Sequence, residues 1–141
     1  MQLQTADGRY CNSERLLTQS SAQRALNYWQ RRLRLTEWTI TVEIVRGDRL
    51  SRGGQRLLGE CEVLSTKQIA VIRLLDHNDF IPDNGFVTFH DMELTLIHEL
   101  LHVRLNGLRD GVEAVEELSE ERAVHALSQT LSEFAARDGF E

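Results

Sequence analysis

The 141 residues are enough to bury one core and too few to expect two, and the 41% hydrophobic and 27% charged content is that of a globular domain. A net charge of −6 offers no basic face to neutralise a phosphate backbone, which argues against nucleic acid as a partner. Apolar runs are short, and Met1 is followed by QLQTADGRYCN rather than a charged start and an apolar stretch. Neither export nor a membrane span is expected, and a single cytoplasmic domain over residues 1–141 is.

Residues 1–12 show no periodicity and predict a loose arm. Cys11 and Cys61 are the only cysteines and have no CxxC spacing, so both read as reduced thiols. A lesser reading folds Cys11 over a metal as an inhibitory thiolate. From about Ser20 to Leu35, the residues Ala22, Ala25, Leu26, Trp29 and Leu33 recur at helical spacing and predict a first amphipathic helix.

The period then changes. In WTITVEIV, Ile40, Val42 and Ile44 alternate with Thr39, Thr41 and Glu43, which predicts a half-buried strand. RGDRLSRGGQR, residues 46–56, reads as a hairpin-like loop. LGECEVL (58–64) and KQIAVIRLL (67–75) predict two more strands, the second too continuously apolar to assign one inward face. DHNDFIPDNGFV (76–87) holds the only proline, Pro82, and reads as a surface loop.

The rest is helical apart from NGLRDG (106–111), where Gly107 suits a C-terminal cap and Gly111 a second flexible point. The last helix is expected from Val112 or Glu113 to Ala136, with Val124, Leu127, Leu131 and Phe134 facing the core. The order of helix, strands, helix, helix predicts an α+β fold whose sheet has three strands, at most four.

Chemistry concentrates in TLIHELLHVRL. Leu94, Ile97, Leu101 and Leu105 make one apolar face of a helix. His98 and His102, about 40° apart around the axis, share another face with Asp91, Thr95 and Asn106. Two imidazoles one turn apart can converge on a zinc ion. Glu99, projecting about 100° from His98, cannot easily join them but can reach a water on the metal, the general-base position of HExxH. Downstream, VEAVEELSEERAVHAL carries Glu113, Glu116, Glu117, Glu120 and Glu121. Most read as a solvated face, and one could complete a His2Glu site. By amphipathicity alone Glu120 lies nearer the centre of the Val124, Leu127, Leu131 stripe.

HELLH followed by Glu121-Arg-Ala-Val-His125 resembles the gluzincin-type metallopeptidases, in which a glutamate ligand is followed four residues later by an Asp or Asn supporting a zinc histidine. His125 stands here where Asp or Asn is usual. The order of elements over about residues 20–136 is similar to that of minimal gluzincins and of phage and mobile-element relatives of the ImmA/IrrE type. The resemblance implies a zincin-like fold with a peptide or protein substrate. Zinc would be held by His98, His102 and Glu121, with Glu120 as the alternative third ligand and His125 behind the ligands. Glu99 would take a proton from water and return it to the leaving amine. KQIAVIRLL is the expected sheet edge for an extended substrate. His77, His90, Arg104 and Arg122 have no spacing that assigns them a role. The rival readings are a zinc-binding regulator of a phage or mobile element with little proteolytic activity, and two packed helices without metal.

Overall fold

The computed structural model describes residues 3–4, 10–11, 14–50, 57–82, 89–106 and 114–137, with side chains at 14–50, 57–82, 89–106 and 120–135. Within the arm expected to be loose, Leu3–Gln4 (β1) and Tyr10–Cys11 (β2) form a two-residue antiparallel ladder. The Cys11 side chain, Gly107, Gly111, Glu113 and loop residues 51–56 and 83–87 lie outside this description, as do the side chains of Glu116 and Glu117.

Helix α1 (Gln19–Arg32) begins where Thr18 and Ser21 cap each other: the Ser21 amide donates to Thr18 Oγ1 at 3.2 Å and the Thr18 amide to Ser21 Oγ at 2.8 Å. It buries Ala22, Leu26 and Trp29, the face its spacing predicts. It stops before Leu35 because Arg34 takes a left-handed φ of 58°.

Three strands follow in the mixed order β3-β5-β4. β3 (Thr39–Val45) pairs in parallel with β5 (Ile69–Leu75), and β4 (Gly59–Leu64) pairs with β5 antiparallel. The expectation that KQIAVIRLL offers a sheet edge is therefore overturned. β5 is the central strand, with both hydrogen-bonding edges taken, and the edges among the described residues are β3 and β4. Its apolar run is that of a strand with neighbours on both sides.

Register puts Val42, Ile72 and Cys61 in one row across the sheet and Ile44, Leu74 and Gly59 in the next. These rows face the helices. On the other face Arg73 lies between Glu43, at 3.7 Å, and Glu60, at 3.5 Å, and also pairs with Glu62.

Helix α2 (Met92–Leu105) packs against α1, α3, β4 and β5. The expectation of a single apolar face is too narrow. Ile97 and Leu101 are buried and Leu94 and Leu105 are only half-buried, while Met92, Leu96, Leu100 and Val103 are buried as well. A helix covered on nearly every side needs apolar residues on nearly every side.

Helix α3 (Ala114–Arg137) is rotated from its expected phase. Val124 is buried and Leu131 half-buried, but Leu127 is 48% and Phe134 55% exposed. Ser128, Ser132 and Ala135 turn inward instead. Both hydroxyls are satisfied, Ser128 Oγ donating to the His125 carbonyl at 2.9 Å and Ser132 Oγ accepting from Arg15. Small residues also let the helix axes approach.

Asp91 caps α2, accepting from the Leu94 amide at 3.0 Å. The Arg15 guanidinium meets the same carboxylate, Nε to Oδ1 at 3.0 Å and Nη2 to Oδ2 at 2.7 Å. Arg15 Nη1 also lies 3.5 Å from Glu93, which accepts from Trp29 Nε1 at 2.9 Å. No described helix is long and apolar enough to cross a membrane. Replacing Arg15 with Ala strands two buried carboxylates, and urea unfolding should show a loss of about 3 to 5 kcal/mol. Wild-type stability in Arg15→Ala would refute that role.

Candidate metal centre

On α2 the His98 and His102 rings stand one turn apart, their Nε2 atoms separated by 3.3 Å. Across from them, Glu121 of α3 places Oε1 2.7 Å from His98 Nε2 and Oε2 2.8 Å from His102 Nε2. Three ligand-type atoms thus converge within 4.8 Å, a grouping that could hold a metal ion. Burial holds the His98 imidazole below its ordinary pKa against the opposing pull of Glu121, which favours the neutral ligand form.

The two expected candidates on α3 go to different atoms. Glu121 meets the inner nitrogens of both histidines, while Glu120 Oε1 lies 3.2 Å from His102 Nδ1 on the far side of that ring. His125 is exposed, and its ring is an edge neighbour of His98 with centroids 6.3 Å apart.

Glu99 leaves the helix on another side, towards β4. Only 8% of it is exposed, and burial raises its pKa to about 7, with the Glu121 and Glu60 charges adding to the rise. His102 and a hydrogen bond from the Cys61 thiol oppose it. The approach of β4 depends on Gly59, where a Cβ would come within 2.6 Å of Thr95 Cγ2 and 3.6 Å of Glu99 Oε2. Neither Gly59 nor Cys61 was singled out for this site from the sequence. The alternation in GECEVL, with Gly59, Cys61 and Val63 on one face, is the signal that could have found them.

The other histidines lie elsewhere. His77 Nδ1 and His90 Nδ1 are 3.0 Å apart, joining the turn after β5 to the residue before Asp91. His90 stacks on Phe80 at 4.7 Å and is fully buried, which pushes its pKa down to about 4. Arg104 and Arg122 are exposed. Comparison of the chain with protein families, with characterised proteins and with solved structures gives no match.

Between 4.5 and about 7 the folded chain holds a proton on Glu99 that the unfolded chain releases. Stability of the metal-free protein therefore falls as pH rises through that window, by roughly 3 kcal/mol, and stays reduced above it. Glu99→Gln removes this contribution. In urea titrations the metal-free variant should be the more stable protein at pH 8, with the gap closing towards pH 4, and a gap independent of pH would contradict the assignment.

Proposed function

We propose that the chain is a zinc-dependent peptidase of the gluzincin type with a zincin-like fold, holding zinc through His98, His102 and Glu121. One observation carries the reading: two imidazole nitrogens and a carboxylate converge beside a buried glutamate whose pKa is raised to about 7. The donor set fits zinc. Two nitrogens about 2.0 to 2.1 Å from one tetrahedral ion stand about 3.3 Å apart, and the His98 and His102 Nε2 atoms are separated by 3.3 Å. Two neutral imidazoles and one carboxylate leave a single net negative charge to meet the cation and an open position for catalysis.

When bound, zinc would supply Lewis acidity towards a water molecule and the scissile carbonyl. The residues do the remaining work. Glu99 takes a proton from the attacking water as its oxygen bonds to the carbonyl carbon. It returns that proton to the departing nitrogen as the C–N bond breaks, leaving a carboxylate and an amine. A carboxyl group with a pKa near neutrality suits both directions of transfer. Its burial keeps bulk water from competing for the proton. The substrate edge in this reading is β4 rather than β5, because β4 is an outer strand among the described residues and carries Gly59 and Cys61 against Glu99.

The purified chain should hold about one zinc per molecule, lost in His98→Ala. Glu99→Gln should keep the metal while hydrolysis of an unfolded protein substrate falls roughly 10²- to 10⁴-fold. Metal analysis and peptide-release assays check both. A wild-type chain that takes up no zinc defeats the centre, and unchanged hydrolysis in Glu99→Gln defeats the mechanism. Zinc without any hydrolysis by the wild type would favour a regulatory zinc protein.

A further inference from the structure

We propose that Glu120 is a positioning residue for the metal centre: its carboxylate fixes the proton of His102 on Nδ1 and so directs the Nε2 lone pair at the ion. The inference rests on the zinc reading above, and concerns a residue that reading leaves without a task.

The argument starts from the two nitrogens of one ring. His102 Nε2 faces the convergent site, 3.3 Å from His98 Nε2 and 2.8 Å from Glu121 Oε2. Nδ1 points the other way and lies 3.2 Å from Glu120 Oε1. Each ring nitrogen thus faces a carboxylate, and a cation taken up at Nε2 leaves the ring proton to Nδ1, where Glu120 is placed to accept it. In a neutral imidazole that leaves Nε2 unprotonated, the form in which it can bind a cation.

Burial separates Glu120 from its neighbour in sequence. The side chains of His102 and Glu120 are 13% and 15% exposed, whereas that of Glu121 is 52% exposed. A charge-assisted hydrogen bond sheltered from water holds its geometry better than an exposed one. Glu120 also lies one turn before Val124, which is fully buried, so core packing fixes the part of α3 that carries it. Consecutive residues project about 100° apart on a helix. One turn of α3 therefore presents a carboxylate to each nitrogen of the same imidazole, Glu121 at Nε2 and Glu120 at Nδ1. Among the described residues, His125 meets His98 through an exposed ring in a 6.3 Å edge contact.

The test is the zinc affinity of the full chain, read by competition with a chromophoric chelator, beside the thermal melting of the metal-free protein. Glu120→Ala should bind zinc about 10- to 100-fold more weakly than wild type. Glu120→Gln, whose amide oxygen can still accept from Nδ1, should bind more tightly than Glu120→Ala. In nitrogen-15 spectra of the zinc-loaded protein, the His102 Nδ1 proton should be seen in wild type and be lost to exchange in Glu120→Ala.

Wild-type affinity in Glu120→Ala overturns the proposal. So does a loss as complete as that of Glu121→Ala, which would make Glu120 a ligand, and so does equal weakening in both Glu120 variants that follows their melting temperatures. No zinc uptake by the wild type overturns the metal reading itself, and so is distinguishable from failure of the positioning role alone.

Discussion

The charge pair between Arg15 and Asp91 is taken largely out of water at the start of α2, and the rest of the domain is arranged around it. Removing two ions from water costs several kcal/mol each, and their attraction offsets this only with good geometry. The geometry is good. The guanidinium meets both carboxylate oxygens at 2.7 to 3.1 Å, and Asp91 also caps Leu94 at the positive end of the helix dipole. Arg15 further reaches Glu93, which holds Trp29 of α1, and Ser132 of α3. One cation therefore ties the segment before α1 to all three helices. With its start fixed in this way, α2 has a definite rotation against the sheet, and its rotation decides where His98, Glu99 and His102 point.

That rotation divides the motif between two environments. His98 and His102 face α3, where carboxylates come from another helix. Glu99 faces β4, where Gly59 admits the strand closely and the Cys61 thiol donates to the carboxylate. The same burial that gives Glu99 a pKa near 7 is a cost to folding, since an ionised carboxylate is held largely out of bulk water. Such a local penalty is what the proposed proton transfer would require, and it is tolerable because Leu96, Leu100 and Val103 bury apolar surface along the same helix.

Local periodicity was enough to reveal α1, β3, β4, β5 and α2, because each pattern reports which residues turn inward within one element. It could not reveal how elements are ordered. The central place of β5 depends on parallel pairing with β3, a contact with no local signature, although its unbroken apolar run was consistent with it. The inward face of α3 departs from its apolar spacing for a related reason. Ser128 and Ser132 carry no hydrophobic signal, and the group that makes burying Ser132 favourable is Arg15, distant in the chain. Leu127 and Phe134 carry a strong signal and yet are exposed. HELLH was legible since two imidazoles and a glutamate at fixed spacing belong to one helix. Glu120 and Glu121 differ by one residue, and only the crossing of α2 and α3 separates the atoms they meet.

That crossing makes α3 a helix tied at two places of different character. Ser132 is bound through Arg15 to a pair that is complete in the protein alone. Twelve and eleven residues earlier in the sequence, about 17 to 18 Å along the helix, Glu120 and Glu121 meet His102 and His98 through contacts that depend on protonation. A cation in the proposed centre would replace the hydrogen bonds of Glu121 with coordination and add its binding free energy to the folded state alone. The first tie sets where α3 lies, and the second would make its packing on α2 responsive to an ion in the proposed centre. Burying Glu120 behind His102 also supports this arrangement mechanically. The imidazole is held from its far side before any ion arrives, so less ordering remains to oppose binding.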